Sequence, residues 1–145
     1  MYVSARSDYA VRAMLAVAAS DELVKASALA RAQRIPLSFL QGILLDLRRA
    51  GLLHSHRGIE GGYALAKPAG QISVGDVLRA MSGSLTTVRG LPADVATYHG
   101  VATGLRDVWL AVHDAIEAVV DRTSLADLLA DPLAAPQQVA SVHNL

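Results

Sequence analysis

The chain has 145 residues, of which 52% are hydrophobic and only 4% aromatic, and it contains no cysteine. This length predicts one small domain with a smaller addition, built around a core of Leu, Val, Ala and Ile. The missing cysteines exclude disulfides, thiolate nucleophiles and cysteine-ligated metal sites. No stretch approaches the roughly 20 apolar residues of a membrane span, and the N-terminus lacks the layout of a secretory signal. We therefore expect a soluble, cytoplasmic protein with no membrane partner.

The formal net charge is zero, but the charge is unevenly distributed. Residues 1–67 carry nine basic and five acidic side chains, whereas residues 68–145 carry four basic and eight acidic ones. This asymmetry indicates that a polyanion binds at one end of the protein.

Three helices are predicted at the start of the chain. Apolar residues recur at helical spacing across residues 4–19. A short second helix is expected over residues 27–33, with Ser27 as its N-cap. After a tight turn, Pro36 suits the beginning of a third helix over residues 37–50. The buried stripe of this third helix is expected to comprise Phe39, Leu40, Ile43, Leu44 and Leu47.

A change of periodicity follows the third helix. Residues 52–57 and 63–66 read as two strands, joined by a glycine-rich tip at residues 58–62. Gly61, Gly62 and Tyr63 are expected to shape the return of the chain. The order of helix, short helix, turn, helix and hairpin is typical of a winged helix-turn-helix. The fold class is therefore mainly α with a small β-hairpin.

The second half of the chain is predicted to contain one long helix. A fourth helix over residues 74–82, with Ser73 as its N-cap, completes a DNA-binding domain of residues 1–82. Residues 83–102 read as a linker or effector loop with one helical turn near Asp94. Residues 103–130 then form the long helix and a short one capped by Ser124, and residues 131–145 a disordered tail. The long helix carries a narrow apolar seam, typical of a dimer interface, at Leu105, Val108, Trp109, Val112, Ile116 and Val119.

The third helix and the hairpin supply groups suited to DNA. An exposed helix fits the major groove, which is about 12 Å wide. Ser38 and Gln41 have polar groups suited to base edges, and an arginine such as Arg57 at the start of the hairpin tip can enter a narrow minor groove. Phe39 reads either as a core anchor or as a contact with a thymine methyl group. Arg48 and Arg49 read either as backbone contacts or as a solvated helix end.

Several segments resemble the Rrf2 family of winged-helix regulators, whose members include IscR, NsrR and CymR. They are residues 9–15 (YAVRAML), 35–40 (IPLSFL), 44–52 (LLDLRRAGL), 57–63 (RGIEGGY) and 72–77 (ISVGDV). The resemblance implies a transcriptional regulator, expected to be a repressor, that binds a palindromic operator as a homodimer paired along the long helix. It also implies DNA contacts at Ser4, Arg6, Tyr9, Ser38, Phe39, Gln41, Arg48, Ser55, Arg57 and Gly58. Gln41 replaces an acidic residue of cluster-binding relatives, so their operator preference should not be transferred.

A second departure concerns cofactors. Cluster-sensing members carry three cysteines in the loop before the long helix, and this chain has none. A histidine that serves as a ligand in some relatives falls at Arg106, which cannot bind a metal. We therefore expect no iron–sulfur cluster and no other cofactor.

The nature of the signal stays open at this level. Tyr98, His99 and His113 could line an effector pocket, or a histidine could bind a metal with Asp94, Asp107 or Asp114, but no metal site is expected. A partner protein could act instead, or the protein could repress constitutively. A docking module for other proteins is the alternative to DNA binding. An enzyme is not expected, because no nucleophile elbow, phosphate loop or metal-protease motif is present.

Overall fold

Residues 1–130, the part of the chain that the computed structural model describes, form six α-helices and two two-stranded hairpins. The helices are α1 (Ala5–Ala18), α2 (Ala26–Gln33), α3 (Leu37–Arg49), α4 (Val74–Ser82), α5 (Leu105–Arg122) and α6 (Leu125–Ala130). The strands are β1 (Leu53–His56), β2 (Gly62–Leu65), β3 (Thr87–Val88) and β4 (Leu91–Pro92). This confirms the predicted fold class. The predicted tail, residues 131–145, lies outside the described residues.

The core lies between α1, α3 and α4, with residues of α2, β1 and α6 closing it. Four residues of α3 are completely buried: Leu40, Ile43, Leu44 and Leu47. The fifth residue of the predicted stripe is not, since Phe39 is 41% exposed. It lies at the margin of the stripe, where its ring meets that of Tyr9 on α1 instead of entering the core. The prediction of Phe39 as a core anchor is therefore wrong.

The start of α2 also differs from the prediction. The N-cap is Lys25, and Ser27 lies within the helix, so Ser27 does not cap it. The reason is a backbone pairing of Val24 with Tyr63, in which each N–H donates to the other carbonyl, over 3.0 and 2.8 Å. The chain is held extended through Val24 and turns into the helix immediately afterwards.

The wing consists of β1 and β2, which pair antiparallel with Leu53 opposite Leu65 and His56 opposite Gly62. The Val24–Tyr63 pairing attaches it to the chain before α2. At the tip, the Gly61 N–H donates to the Gly58 carbonyl over 3.0 Å. The hairpin is thus fixed near its tip to the segment that precedes α2.

Reciprocal caps fix the later helices. Ser73 is the N-cap of α4, as predicted, and forms a capping box with Asp76, while Ser124 and Asp127 exchange equivalent bonds at the start of α6. The predicted helical turn near Asp94 is present at Ala93–Val95. The β3–β4 hairpin beside it was not expected, because strands of two residues leave no periodicity to detect. Within residues 1–130, no helix is both long and apolar enough to cross a membrane.

Candidate DNA-binding surface

The first turns of α3 expose to solvent the residues that were predicted to contact DNA bases. Ser38, Phe39 and Gln41 are all exposed. Phe39 is held in position by Tyr9, since the two ring centroids lie 5.7 Å apart with the planes at 81°. This edge-to-face contact orients an apolar side chain outward beside two polar ones. The arrangement suits base edges and thymine methyl groups in a major groove.

Arg12 of α1 stabilises the turn between α2 and α3. Its Nε donates to Oε1 of Gln33 over 3.2 Å, and a second guanidinium nitrogen donates to the Gln33 carbonyl. Gln33 is the last residue of α2, and Arg34 beyond it has a φ of 55°, in the left-handed region. The guanidinium also lies over the Tyr9 ring, 5.2 Å from its centroid. Arg12 therefore links the helix-turn-helix angle to the aromatic pair that supports Phe39.

The predicted contacts at the start of α1 already have partners within the protein. The Ser4 hydroxyl accepts a hydrogen bond from the Ser7 N–H over 3.1 Å, which caps the helix. Arg6 forms an ion pair with Asp46 on α3. This pair connects α1 to α3 and offsets part of the Arg6 charge. A phosphate would have to displace the Asp46 carboxylate from Arg6, or share the Arg6 guanidinium with it.

Three cations line a cleft between α2, the end of α3 and the wing, which we call the basic cleft. It has a volume of about 350 Å³. The cations are Lys25, Arg48 and Arg57, and no acidic residue is among the residues described around it. Nη1 of Arg48 also donates to Oγ of Ser55 over 3.3 Å, so these two predicted residues meet. Arg49 is exposed on the same end of α3.

The basic cleft has the chemistry of a phosphate site. The start of α2 has no side-chain cap, so the N–H groups of its first turn are available to an anion. Helix N-termini carry partial positive charge, and the neighbouring cations add to it. The sequence did not predict that Lys25 belongs to this site. Ser27 was expected to cap α2, and Lys25 then lay two residues before the predicted helix. Its ammonium group also donates to the Ile59 carbonyl, which ties the wing tip to α2.

The geometry agrees with wing-shaping roles for the predicted glycines. A Cβ at position 61 would overlap the backbone of His56. Gly62 has a φ of 154°, and a Cβ there would lie 2.9 Å from the Val24 carbonyl. Both positions therefore need glycine for the strand to return as Tyr63 and pair with Val24.

The long helix α5, which is described in full, contains no buried residue. Four residues of its predicted seam are exposed, from 40% at Leu105 to 66% at Val119, and Trp109 and Ile116 are half-buried. The seam is thus an apolar strip that the protomer leaves in water.

A stripe of α5 beside the seam, which shares Trp109 with it, holds the linker, residues 83–102. Arg106 Nη2 donates to the Asp94 carbonyl over 3.0 Å, and Trp109 Nε1 donates to Oη of Tyr98 over 2.8 Å. One helical turn further, Nδ1 of His113 lies 3.0 Å from Oγ1 of Thr86. These three residues of α5 lie at positions i, i+3 and i+7, so one face of the helix fixes three points of the linker.

The predicted effector residues do not meet in one cavity. A cavity of about 230 Å³ is lined by Ser84, Ala93, Asp94, Leu110 and His113. Of the three predicted residues it includes only His113. Tyr98 is engaged by Trp109, and His99 is exposed. Within residues 1–130, no cluster of three or more histidine or acidic side chains is arranged to hold a metal ion.

Comparison with known proteins identifies the family. The Rrf2 family model, described as an iron-dependent transcriptional regulator, matches residues 3–131. The chain belongs to the Rrf2 family. An HTH-type transcriptional regulator of Mycobacterium tuberculosis, Rv1287, is 46% identical over 99% of this chain and 89% of its own length. This Rrf2 protein is a DNA-binding transcriptional regulator.

Solved structures agree with this assignment. The structure of CymR, the global cysteine regulator of B. subtilis, matches with a TM-score of 0.75 and 28% identity over 88% of this chain and 95% of CymR. IscR of T. potens matches with a TM-score of 0.73 and 34% identity over 91% of this chain and 88% of IscR. These likenesses extend beyond the winged helix into the second half of the chain.

The residues of this Rrf2 protein do not fit the iron–sulfur cluster that sensing members of the family carry. The chain offers no thiolate anywhere. Arg106, at the position of a histidine ligand, donates a hydrogen bond to the Asp94 carbonyl. Nε2 of His113 lies 2.8 Å from Glu117, and its other ring nitrogen lies against Thr86. Arg106 and His113 of α5 are thus engaged in contacts within the protein and are not arranged as cluster ligands.

Proposed function

We propose that this regulator is a homodimeric repressor that pairs along α5 and binds a pseudo-palindromic operator, with one α3 in each half-site. The observation that carries this proposal is the exposed seam of α5. An 18-residue helix without a buried residue exposes a continuous apolar strip that a second copy would cover. Because the same surface serves both copies, the two heads (residues 1–82 of each protomer) are related by a twofold axis, as a palindrome requires.

Each head would read one half-site. The start of α3 enters the major groove, where Ser38, Phe39 and Gln41 meet base edges. The basic cleft binds the flanking backbone, and Arg57 reaches the adjacent minor groove. The proposed contact residues are Ser4, Arg6, Tyr9, Ser38, Phe39, Gln41, Arg48, Arg49, Ser55, Arg57 and Gly58, with Lys25 added from the structure.

DNA binding by this protein would not depend on an iron–sulfur cluster. The linker is fixed to α5 by side chains at three points, so it needs no metal to be ordered. A regulatory signal would therefore act as a small molecule or a partner protein at the linker, or repression would be constitutive.

Selection of bound duplexes from a random pool tests the proposal. The wild type should enrich a pseudo-palindrome, and Arg57→Ala should lose most of that enrichment while remaining a dimer by sedimentation. Arg122→Gln, which removes an arginine from α5 outside the basic cleft, is the matched control and should select like the wild type. If the wild type enriches only single half-sites, or sediments as a monomer, the homodimeric proposal fails.

A further inference from the structure

A polar contact joins the head to α5. Arg79 on α4 pairs with Asp121 near the end of α5 through two parallel contacts, Nη2 to Oδ1 over 2.5 Å and Nη1 to Oδ2 over 3.3 Å. Such a two-pronged pair fixes orientation as well as distance, because the guanidinium and the carboxylate must lie in one plane. The hydrogen bond that Arg79 donates to Asp121 is the main reason that the pKa of Arg79 is raised above its usual value.

Gly75 lets the two helices meet. It is buried in the first turn of α4, and a Cβ there would overlap the Asp121 carboxylate. A larger residue would force that carboxylate away or push the helices apart. We refer to Gly75, Arg79 and Asp121 together as the joint.

Backbone hydrogen bonds flank the joint. The Val74 N–H donates to the Thr123 carbonyl over 2.8 Å, and the Leu125 N–H donates to the Ile72 carbonyl over 2.9 Å. The head is therefore attached to α5 at its C-terminal end, close to Asp121. The side-chain pair and the backbone bonds together determine how the head is rotated about this attachment.

The joint also reaches toward the linker. Nη1 of Arg79 lies 3.5 Å from Oε2 of Glu117, whose other oxygen lies 2.8 Å from Nε2 of His113. His113 in turn contacts Thr86. A series of polar side-chain contacts thus connects Arg79, which orients the head, to Thr86 in the linker.

We propose that the joint sets the spacing between operator half-sites, with Arg79 as its positioning residue. The inference rests on the proposed homodimer. If the seams of two α5 helices pair, the joint and the backbone bonds beside it fix each α3 relative to the twofold axis. Adding one base pair between half-sites turns one of them by about 34° and moves it by about 3.4 Å. A rigid joint rejects such a change, whereas a loosened joint tolerates it.

The joint acts on orientation more than on stability. The Arg79 side chain is 35% exposed, and exposed ion pairs contribute little to folding. Arg79→Lys keeps the charge but loses the planar fork, so it should loosen the orientation of the head without unfolding it. Gly75→Ala disturbs the same contact from the other side while keeping an arginine at position 79.

Measurement of half-site spacing tests the inference. Duplexes would carry the selected half-sites at the preferred spacing, or with one base pair more or fewer between them. Each duplex would be titrated with four full-length proteins: the wild type, Arg79→Lys, Gly75→Ala and the control Arg122→Gln. For the wild type and the control, a change of one base pair should weaken binding by about tenfold, which is the effect typical of a mismatched contact. For both joint variants the loss should fall to about threefold or less, with dimer mass and unfolding midpoint unchanged for Arg79→Lys.

The outcomes separate this inference from the proposal beneath it. A wild type that binds no paired half-sites refutes the homodimer, and this inference with it. A wild type with a sharp spacing preference that Arg79→Lys and Gly75→Ala both retain refutes this inference alone, because the backbone bonds would then suffice. Weaker binding at every spacing, without a change in preference, also counts against it.

Discussion

Removing Arg57 should change the salt dependence of DNA binding by an amount that the structure allows us to calculate. Arg57 is exposed at the mouth of the basic cleft, and its guanidinium has no hydrogen-bond or ion-pair partner among residues 1–130. Its charge is therefore free to neutralise a phosphate and release the counterion. By comparison, Lys25→Gln would also release the wing tip from α2, because Lys25 donates to the Ile59 carbonyl.

Each phosphate neutralised on duplex DNA contributes about 0.9 to the slope of log K against log salt. A homodimer presents two copies of Arg57, so Arg57→Ala should reduce the slope by about 1.8. Between about 50 and about 200 mM salt, the wild type should then lose about twelvefold more affinity than the variant. The deficit of the variant should accordingly be largest at low salt and shrink as salt rises.

Fluorescence anisotropy with a labelled operator, titrated at four or five salt concentrations, measures both slopes. Arg122→Gln is the control and should keep the wild-type slope. A reduction of about 0.9 would indicate one functional Arg57 per complex, and would count against the symmetric dimer. If Arg57→Ala weakens binding equally at every salt concentration, Arg57 does not neutralise phosphate charge, and the calculated change of slope is wrong.

Four further outcomes follow from the geometry. Gly61→Ala should weaken operator binding at least tenfold while circular dichroism shows the helices unchanged, because a Cβ would overlap the His56 backbone at the wing tip; unchanged affinity would contradict the proposed role of the wing. Val112→Glu places a charge in the exposed seam of α5, so sedimentation should give the 15.2 kDa protomer; a persistent dimer would show that another surface pairs. Leu44→Ala should lower the free energy of unfolding by about 2 to 5 kcal/mol in a urea titration. Phe39→Ala changes a half-exposed position, so it should lower the free energy of unfolding by less and weaken operator binding instead. Equal losses of stability would place Phe39 in the core after all. Treatment with a strong chelator should leave operator affinity and the unfolding midpoint unchanged, since α5 side chains hold the linker; loss of binding that iron restores would overturn this.

Periodic and locally encoded features could be predicted from the sequence. The four buried positions of α3 repeat at helical spacing, so their burial followed from the pattern alone. The capping boxes at Ser73 and Ser124 use a hydroxyl and a carboxylate three residues apart, which is a local signal. The exposed seam of α5 followed from its narrow apolar repeat, although its pairing remains a proposal.

Features that depend on distant contacts could not be predicted. The start of α2 is set by Tyr63, nearly 40 positions along the chain from Val24, and no local preference of Ser27 overrides that pairing. Phe39 was misplaced because helical spacing does not say where the apolar stripe ends and a neighbouring helix begins. Gly75 gives no sign in the sequence that Asp121 must lie against it.

The contacts between α5 and the linker limit what a signal must do. The bonds from Arg106, Trp109 and His113 are neutral or partly exposed, so each is expected to contribute about 0.5 to 1.5 kcal/mol. Together they hold the linker by about 1.5 to 4.5 kcal/mol, since such terms add only approximately. An effector that binds the released linker must therefore favour it over the bound form by about 13-fold or more. That is a modest demand for a micromolar ligand, whose total binding free energy is about 8 kcal/mol. A linker held by side chains can thus be switched without redox chemistry. His113 contacts both Thr86 and the Glu117 carboxylate, which lies next to Arg79. Release of the linker would therefore be transmitted to the head through His113.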